Sequence, residues 1–121
     1  MTLVDITTKV SRNEPLLRLY DKKICINAPA SAVLGLQEGD SLSFKVNERA
    51  ENPHLFVGKE KEARRCYPVK RRANTFVVND SHLARSLAER LQGVGTYRIS
   101  KEDHVEYNGV VYYNIFFRKY D

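Results

Sequence analysis

Apolar and polar positions alternate in short runs along this chain, and at two places the spacing lengthens to that of a helix. Leu17, Leu19 and Tyr20 begin an extended segment, which Asp21-Lys22 turns into Ile24 to Asn27. Leu42, Phe44 and Val46 alternate with Ser43, Lys45 and Asn47, the period of two expected of a strand with one buried face. Asn52-Pro53 marks the loop that follows, and His54 to Val57 reads as the return strand. Further on, Leu83, Leu87, Ala88 and Leu91 fall on one face at helical spacing, while Arg85, Glu89 and Arg90 lie elsewhere. Tyr97-Arg98-Ile99 then enters a hairpin with Asn108-Gly109 at its tip, a pair suited to two successive positive φ angles. Its return strand, Val110 to Phe117, is rich in β-branched and aromatic residues. Val111, Tyr113, Ile115 and Phe117 are expected on one face of it, with Tyr112 and Phe116 on the other. At the start, Leu3 to Val10 reads as an edge strand or apolar arm, broken by Ser11-Arg12-Asn13-Glu14-Pro15.

Within these elements one pattern occurs twice. Lys23-Ile24-Cys25-Ile26-Asn27 leads through Ala28-Pro29-Ala30-Ser31-Ala32-Val33-Leu34 into Ser41 to Val46. Thr75-Phe76-Val77-Val78-Asn79 leads through Asp80 to Leu87 into Thr96 to Ser100. Each time a strand ends at Asn, a short helix follows, Gly marks its exit, and a hairpin closes the unit. Pro29 suits the first helical turn, Gly35 the left-handed stop, and Asp80 or Asn79 the cap of the second helix. Units this short cannot bury their own apolar faces, so the two copies are expected to complete each other with internal two-fold character.

Composition bounds the rest. At 121 residues, with 42% hydrophobic and 29% charged positions, the chain reads as a single domain over residues 1–121 with a modest core. No apolar run approaches a membrane span and no leader pattern opens the sequence, so the expectation is a cytoplasmic protein without membrane contact. Cys25, between two isoleucines, behaves as a small hydrophobe. Cys66, after Arg64 and Arg65, is read as a second reduced thiol. Phosphate-cradling glycine loops, nucleophile elbows, dinucleotide fingerprints and metal-ligand spacings do not occur, and His54, His82 and His104 are scattered. The expectation is therefore a protein that is not an enzyme and carries no cofactor or metal.

The formal net charge is +5, which favours a polyanionic partner. Lys59, Lys61, Arg64, Arg65, Lys70, Arg71 and Arg72 cluster between the two repeats against only Glu60 and Glu62, and Arg18, Lys22 and Lys23 precede the first repeat's strand. Such cations neutralise phosphates and release counterions. The opposing reading is a solvated loop whose charges guard a strand edge. A stacking platform built from Tyr107, Tyr112, Tyr113, Phe116 and Phe117 is the weaker alternative, since core and cross-strand packing accounts for these rings.

The first repeat, Lys23-Ile24-Cys25-Ile26, a helical turn, then Leu34-Gly35-Leu36-Gln37-Glu38-Gly39-Asp40-Ser41-Leu42-Ser43-Phe44, resembles the AbrB/MazE-type swapped-hairpin superfamily of transition-state regulators and antitoxins. The likeness covers about 17–58, a weaker copy covers about 69–119, and an N-terminal arm, 1–14, precedes both. It implies a mainly β fold with two short helices, a swapped-hairpin β-barrel formed by two β-α-β-β repeats about an internal pseudo-two-fold axis. Together with the basic cluster it implies double-stranded DNA as partner, in a transcription-regulator or antitoxin-like role. Lys22, Lys23, Arg71, Arg72 and Arg85 would face the duplex, and Arg64, Arg65 and Lys70 would add phosphate contacts, the basic turns emerging on a common side. Two departures stand out: Ala30 and Ser31 replace charge at the first helix, and Leu91-Gln92-Gly93-Val94-Gly95-Thr96 lacks the Gly-Asp pair. The alternative is a protein-interaction or assembly module on the same barrel, with the N-terminal arm pairing with another copy at a sheet edge.

Overall fold

Strand β1 (Leu16–Leu19) is short because its apolar alternation, Leu17 and Leu19 inward with Arg18 outward, ends at the turn Tyr20 to Lys23. That turn is closed by the Tyr20 amide donating to the Lys23 carbonyl at 2.9 Å. β2 (Ile24–Ile26) follows, and then helix α1 (Ala28–Leu34). The computed structural model describes residues 14–47, 54–60 and 66–119. The N-terminal arm up to residue 13 and the arginines Arg64 and Arg65 lie outside the described residues.

Asn27 caps α1 and also anchors β1. Its Oδ1 accepts the amides of Ala30 at 3.0 Å and Leu16 at 2.9 Å, and its Nδ2 donates to the Glu14 carbonyl at 2.9 Å. Pro29 sits in the first turn, and Gly35 ends the helix in the left-handed region at φ 66. The segment after it is a turn held by one carboxylate, since Asp40 Oδ2 accepts the Gln37 amide at 2.8 Å. The chain then enters β3 (Ser41–Asn47) and returns along β4 (His54–Lys59).

The second half begins with β5 (Tyr67–Pro68) and β6 (Lys70–Arg72), separated by Val69 alone. A turn with Ala73 at φ 53 leads into β7 (Thr75–Val78). Helix α2 (Ser81–Arg90) is capped by Asp80, whose Oδ1 accepts the Leu83 amide at 2.9 Å. It buries Leu83, Ala84 and Leu87. The long strands β8 (Gly95–Tyr107) and β9 (Val110–Lys119) complete the chain. Asn108 and Gly109 at their tip both have positive φ, 52 and 80, as the sequence pair requires.

All nine strands among the described residues belong to one antiparallel sheet in the order β5-β3-β4-β9-β8-β1-β2-β7-β6. The two ends of that order are consecutive in the chain, so the sheet must curl until its edges meet at Val69. Val69 is buried there, its amide donating to the Asp40 carbonyl at 3.0 Å. The architecture is therefore mainly β with two short helices, a nearly closed barrel-like sheet. Its interior is filled by Leu17, Leu19, Ile24, Ile26, Leu42, Val57, Val78, Tyr97 and Ile99 together with Leu83 and Leu87 from α2. Among the described residues no helix is long and apolar enough to cross a membrane.

One expectation fails locally. Phe117, expected to share a face with Ile115, stands 57% exposed, whereas Tyr112 lies on the other face as expected, buried outside the interior cluster. The pairing of β8 with β9 slips twice. Tyr97 faces Lys119 while Ile99 faces Ile115, and His104 then faces Tyr113. Each bulge shifts the inward set on one strand, so strict alternation does not survive along β9.

Candidate nucleic-acid interface

The sheet order brings two basic segments, some fifty positions apart in sequence, side by side. β1, β2, β7 and β6 are consecutive neighbours. Ile24 and Ile26 of β2 face Val78 and Phe76 of β7 across the ladder and point inward. By the period of two, Cys25 and Val77 then point outward. Arg18 faces Cys25, Cys25 faces Val77, and Val77 faces Lys70. One row across four strands thus reads Arg18, Cys25, Val77, Lys70, with the two exposed cations at its ends, Cys25 half-buried and Val77 buried between them. At about 4.8 Å per strand the two cations stand about 14 Å apart.

Each hairpin adds cations at its tip. Lys22 is exposed in the Tyr20 to Lys23 turn, and Lys23 holds its Nζ 5.1 Å from the centre of the Tyr20 ring. On β6, Lys70, Arg71 and Arg72 are all exposed. The Arg71 Nε donates to the Ala73 carbonyl at 3.3 Å, and the Thr75 hydroxyl closes the same turn on the Arg72 carbonyl at 2.9 Å. The expectation that the basic turns emerge on a common side is not met. Because β2 and β7 are antiparallel, the tips leave opposite ends of this ribbon, roughly 20 Å apart at about 3.3 Å per residue. Arg85 is exposed on α2, which starts from the end of β7 nearest the Lys22 turn.

Charge is concentrated here more sharply than the sequence alone shows. Residues 16–26 and 70–78 carry Arg18, Lys22, Lys23, Lys70, Arg71 and Arg72 against Asp21 alone, six cations against one anion, which equals the formal +5 of the whole chain. The rest of the protein is formally neutral. Arg18 is the residue the sequence reading passed over as a direct contact. Its signal was a cation at the outward position of an otherwise apolar strand, and only the register shows what it faces.

The opposite outer surface, on β3, β4 and β9, has different chemistry. Tyr112 faces Gly58, which in turn faces Ser43. The Tyr112 hydroxyl donates to Glu60 Oε2. Burial, reinforced by the Glu60 carboxylate, pushes this phenol up to about 12 against a partial offset from Ser43. Lys45 Nζ lies 5.5 Å from the Tyr112 ring centre and 5.8 Å from that of Tyr107. Tyr107 and Tyr112 are thus engaged with Lys45 in internal cation–π contacts, while Phe117 stands exposed. His54, His82 and His104 are exposed and separate, and His104 rests against the Tyr113 ring with centroids 5.7 Å apart.

Fold and surface together define a class: an antiparallel barrel-like β protein with a basic cluster on the neighbouring strands β1, β2, β7 and β6. No protein-family model matches the chain, and neither a curated protein nor a solved structure does.

Proposed function

We propose that the protein binds double-stranded DNA through the outer face of β1, β2, β7 and β6, as a fused pair of swapped-hairpin halves in a transcription-regulator or antitoxin-like role. The observation that carries this reading is that residues 16–26 and 70–78, on neighbouring strands, carry six cations against one anion. Arg18 and Lys70 flank its centre, Lys22 and Lys23 occupy one tip, and Arg71 and Arg72 the other. Two tips roughly 20 Å apart exceed the major groove's width of about 12 Å. The central strand pair therefore lies over the groove while the tips meet phosphates beyond it, with Arg85 flanking the first tip.

The kinship with the AbrB/MazE-type fold rests on the pairing scheme. Exchange β1, β2, β3 and β4 for β6, β7, β8 and β9, and the ladder changes little. The hairpin β1–β2 becomes β6–β7, and β3–β4 becomes β8–β9. The pairs β2–β7 and β4–β9 map onto themselves. The pair β1–β8 becomes β6–β3, whose place is taken by β5, two residues upstream. Hairpins from each half thus pair with strands of the other, and a pseudo-dyad runs between Cys25 and Val77. A binding surface with that symmetry suits a site with dyad character.

Fluorescence anisotropy with mixed-sequence duplex DNA across a salt series tests the proposal. Affinity is expected to fall steeply with salt, with a log–log slope near −0.9 per phosphate neutralised. Arg71→Ala with Arg72→Ala should weaken binding and flatten the slope by about 2. Absence of binding at low salt rejects DNA as the partner. Undiminished binding by the double variant rejects the face.

A further inference from the structure

Strand β8 has a covered part and an open part. From Gly95 to Arg98 it pairs with β1. β1 then runs out at Pro15, whose carbonyl accepts the Ile99 amide at 3.0 Å. Beyond that point no described strand covers this side of β8, and residues 101–107 are all exposed. Exposed apolar surface gathers on the same hairpin. Of seven exposed large hydrophobic side chains among the described residues, five (Val105, Tyr107, Val111, Phe116 and Phe117) belong to β8 and β9. An open strand edge beside exposed apolar side chains is a template for another strand.

The hairpin's geometry says which main-chain groups are on offer. The two-residue turn makes Tyr107 and Val110 a mutually hydrogen-bonded pair, and Val105 with Tyr112 is the next such pair along the ladder. The amides and carbonyls of His104 and Glu106 therefore point to the open edge.

We propose that residues 103–107 of β8 pair antiparallel with the same residues of a second copy, in the register centred on Val105. A two-fold antiparallel pair places one residue opposite its own copy, so the sequence Lys101-Glu102-Asp103-His104-Val105-Glu106-Tyr107 can be tested centre by centre. Centring on Lys101, Glu102, Asp103 or Glu106 sets a like charge against itself. Centring on His104 sets Glu102 against the partner's Glu106. Centring on Tyr107 leaves almost no overlap before the turn. Centring on Val105 sets Val105 against the partner's Val105, His104 against the partner's Glu106, and Asp103 against the partner's Tyr107. Like charges placed directly opposite destabilise a ladder, and opposite charges or paired β-branched residues support it. Only this register meets both conditions. It also extends an apolar row, because Val105 already faces Tyr112 within each chain.

An edge this short buries less than the roughly 1,200 Å² of a standard interface, so the dimer is expected to be weak and concentration dependent. Sedimentation velocity of the full chain over a micromolar-to-millimolar series is the measurement. Wild type should pass from monomer to dimer. Val105→Lys and His104→Glu, both at exposed positions, should each raise the dissociation constant at least tenfold while thermal unfolding stays within a few degrees. His104→Glu combined with Glu106→Lys sets Glu against the partner's Lys across the interface and should recover dimerisation. A wild type that stays monomeric overturns the proposal. So does a dimer indifferent to both single variants, or a charge-swapped double variant that stays as dissociated as His104→Glu.

Discussion

Tyr112 shows how one residue commits a surface. Its ring lies against Gly58, where a Cβ would approach the ring to 2.8 Å and the Val111 carbonyl to 2.9 Å. Neither neighbour can give way cheaply, one being a buried ring and the other main chain. Gly58→Ala is therefore expected to destabilise by about 1–3 kcal/mol, the usual cost of overpacking, measurable by urea titration. The hydroxyl carries a separate prediction. The folded phenol is pushed up to about 12 from 10.0, first by burial and then by its hydrogen bond to Glu60. A raised pKa means the protonated form is favoured by folding, so that stabilisation is intact below pH 10 and is lost as pH rises towards 12. Tyr112→Phe should blunt the loss of stability over that window. Burial also raises the Tyr97 phenol, whose hydroxyl donates to the Gly93 carbonyl at 2.6 Å, so some alkaline sensitivity should remain. Unfolding curves at pH 8 and pH 11 check both statements. None of this was legible from sequence. The alternation of Val110 to Phe117 placed Tyr112 correctly opposite Tyr113, but burial of that outer face depends on Glu60, Ser43 and Gly58 arriving from elsewhere.

At the scale of elements, the readable parts were those whose signals are local. Asn27, Pro29 and Gly35 delimit α1, Asp80 caps α2, and Asn108-Gly109 forms the hairpin tip as the sequence predicted. Each works through its own φ angle or through a side chain reaching three residues ahead. The bulges of β8 and β9 and the seam at Val69 were not readable, because they arise from how distant strands share a curved sheet. The two caps look alike in sequence but differ in reach. Asp80 satisfies the start of its own helix, whereas Asn27 also holds the Leu16 amide and the Glu14 carbonyl. Asp80→Ala should cost about 1 kcal/mol, the typical value of a cap. Asn27→Ala leaves two donors and an acceptor without partners, and each unsatisfied group adds about 1–3 kcal/mol when buried. With the partial burial of this site, a loss of at least about 2 kcal/mol is expected. Parallel denaturant titrations of the two variants decide it. Equal losses would mean that Asn27 does no more than cap α1.

For the whole molecule, charge and topology lead to the same division. Six of the chain's cations sit on two hairpins that the sheet order makes neighbours, and the remainder of the chain is formally neutral. The total charge was visible in the sequence, and so were its two clusters, but their junction depended on β2 pairing with β7. That pairing also sends the two tips apart, so a polyanion must cross the Cys25 and Val77 centre to touch both. Arg18 and Lys70 flank that centre and each is expected to neutralise one phosphate wherever along a duplex the protein sits. Arg18→Ala with Lys70→Ala should therefore flatten the salt dependence by about 2 in log–log slope and weaken binding similarly on all sequences. Lys101→Ala removes the same kind of charge from the neutral remainder, at the exposed bulge of β8. Net charge acting at long range is screened within about 8–10 Å at physiological salt, so this variant should leave the slope unchanged. If Lys101→Ala flattens the slope as much per charge as the Arg18 and Lys70 variant, binding follows overall charge and the basic face has no special part in it.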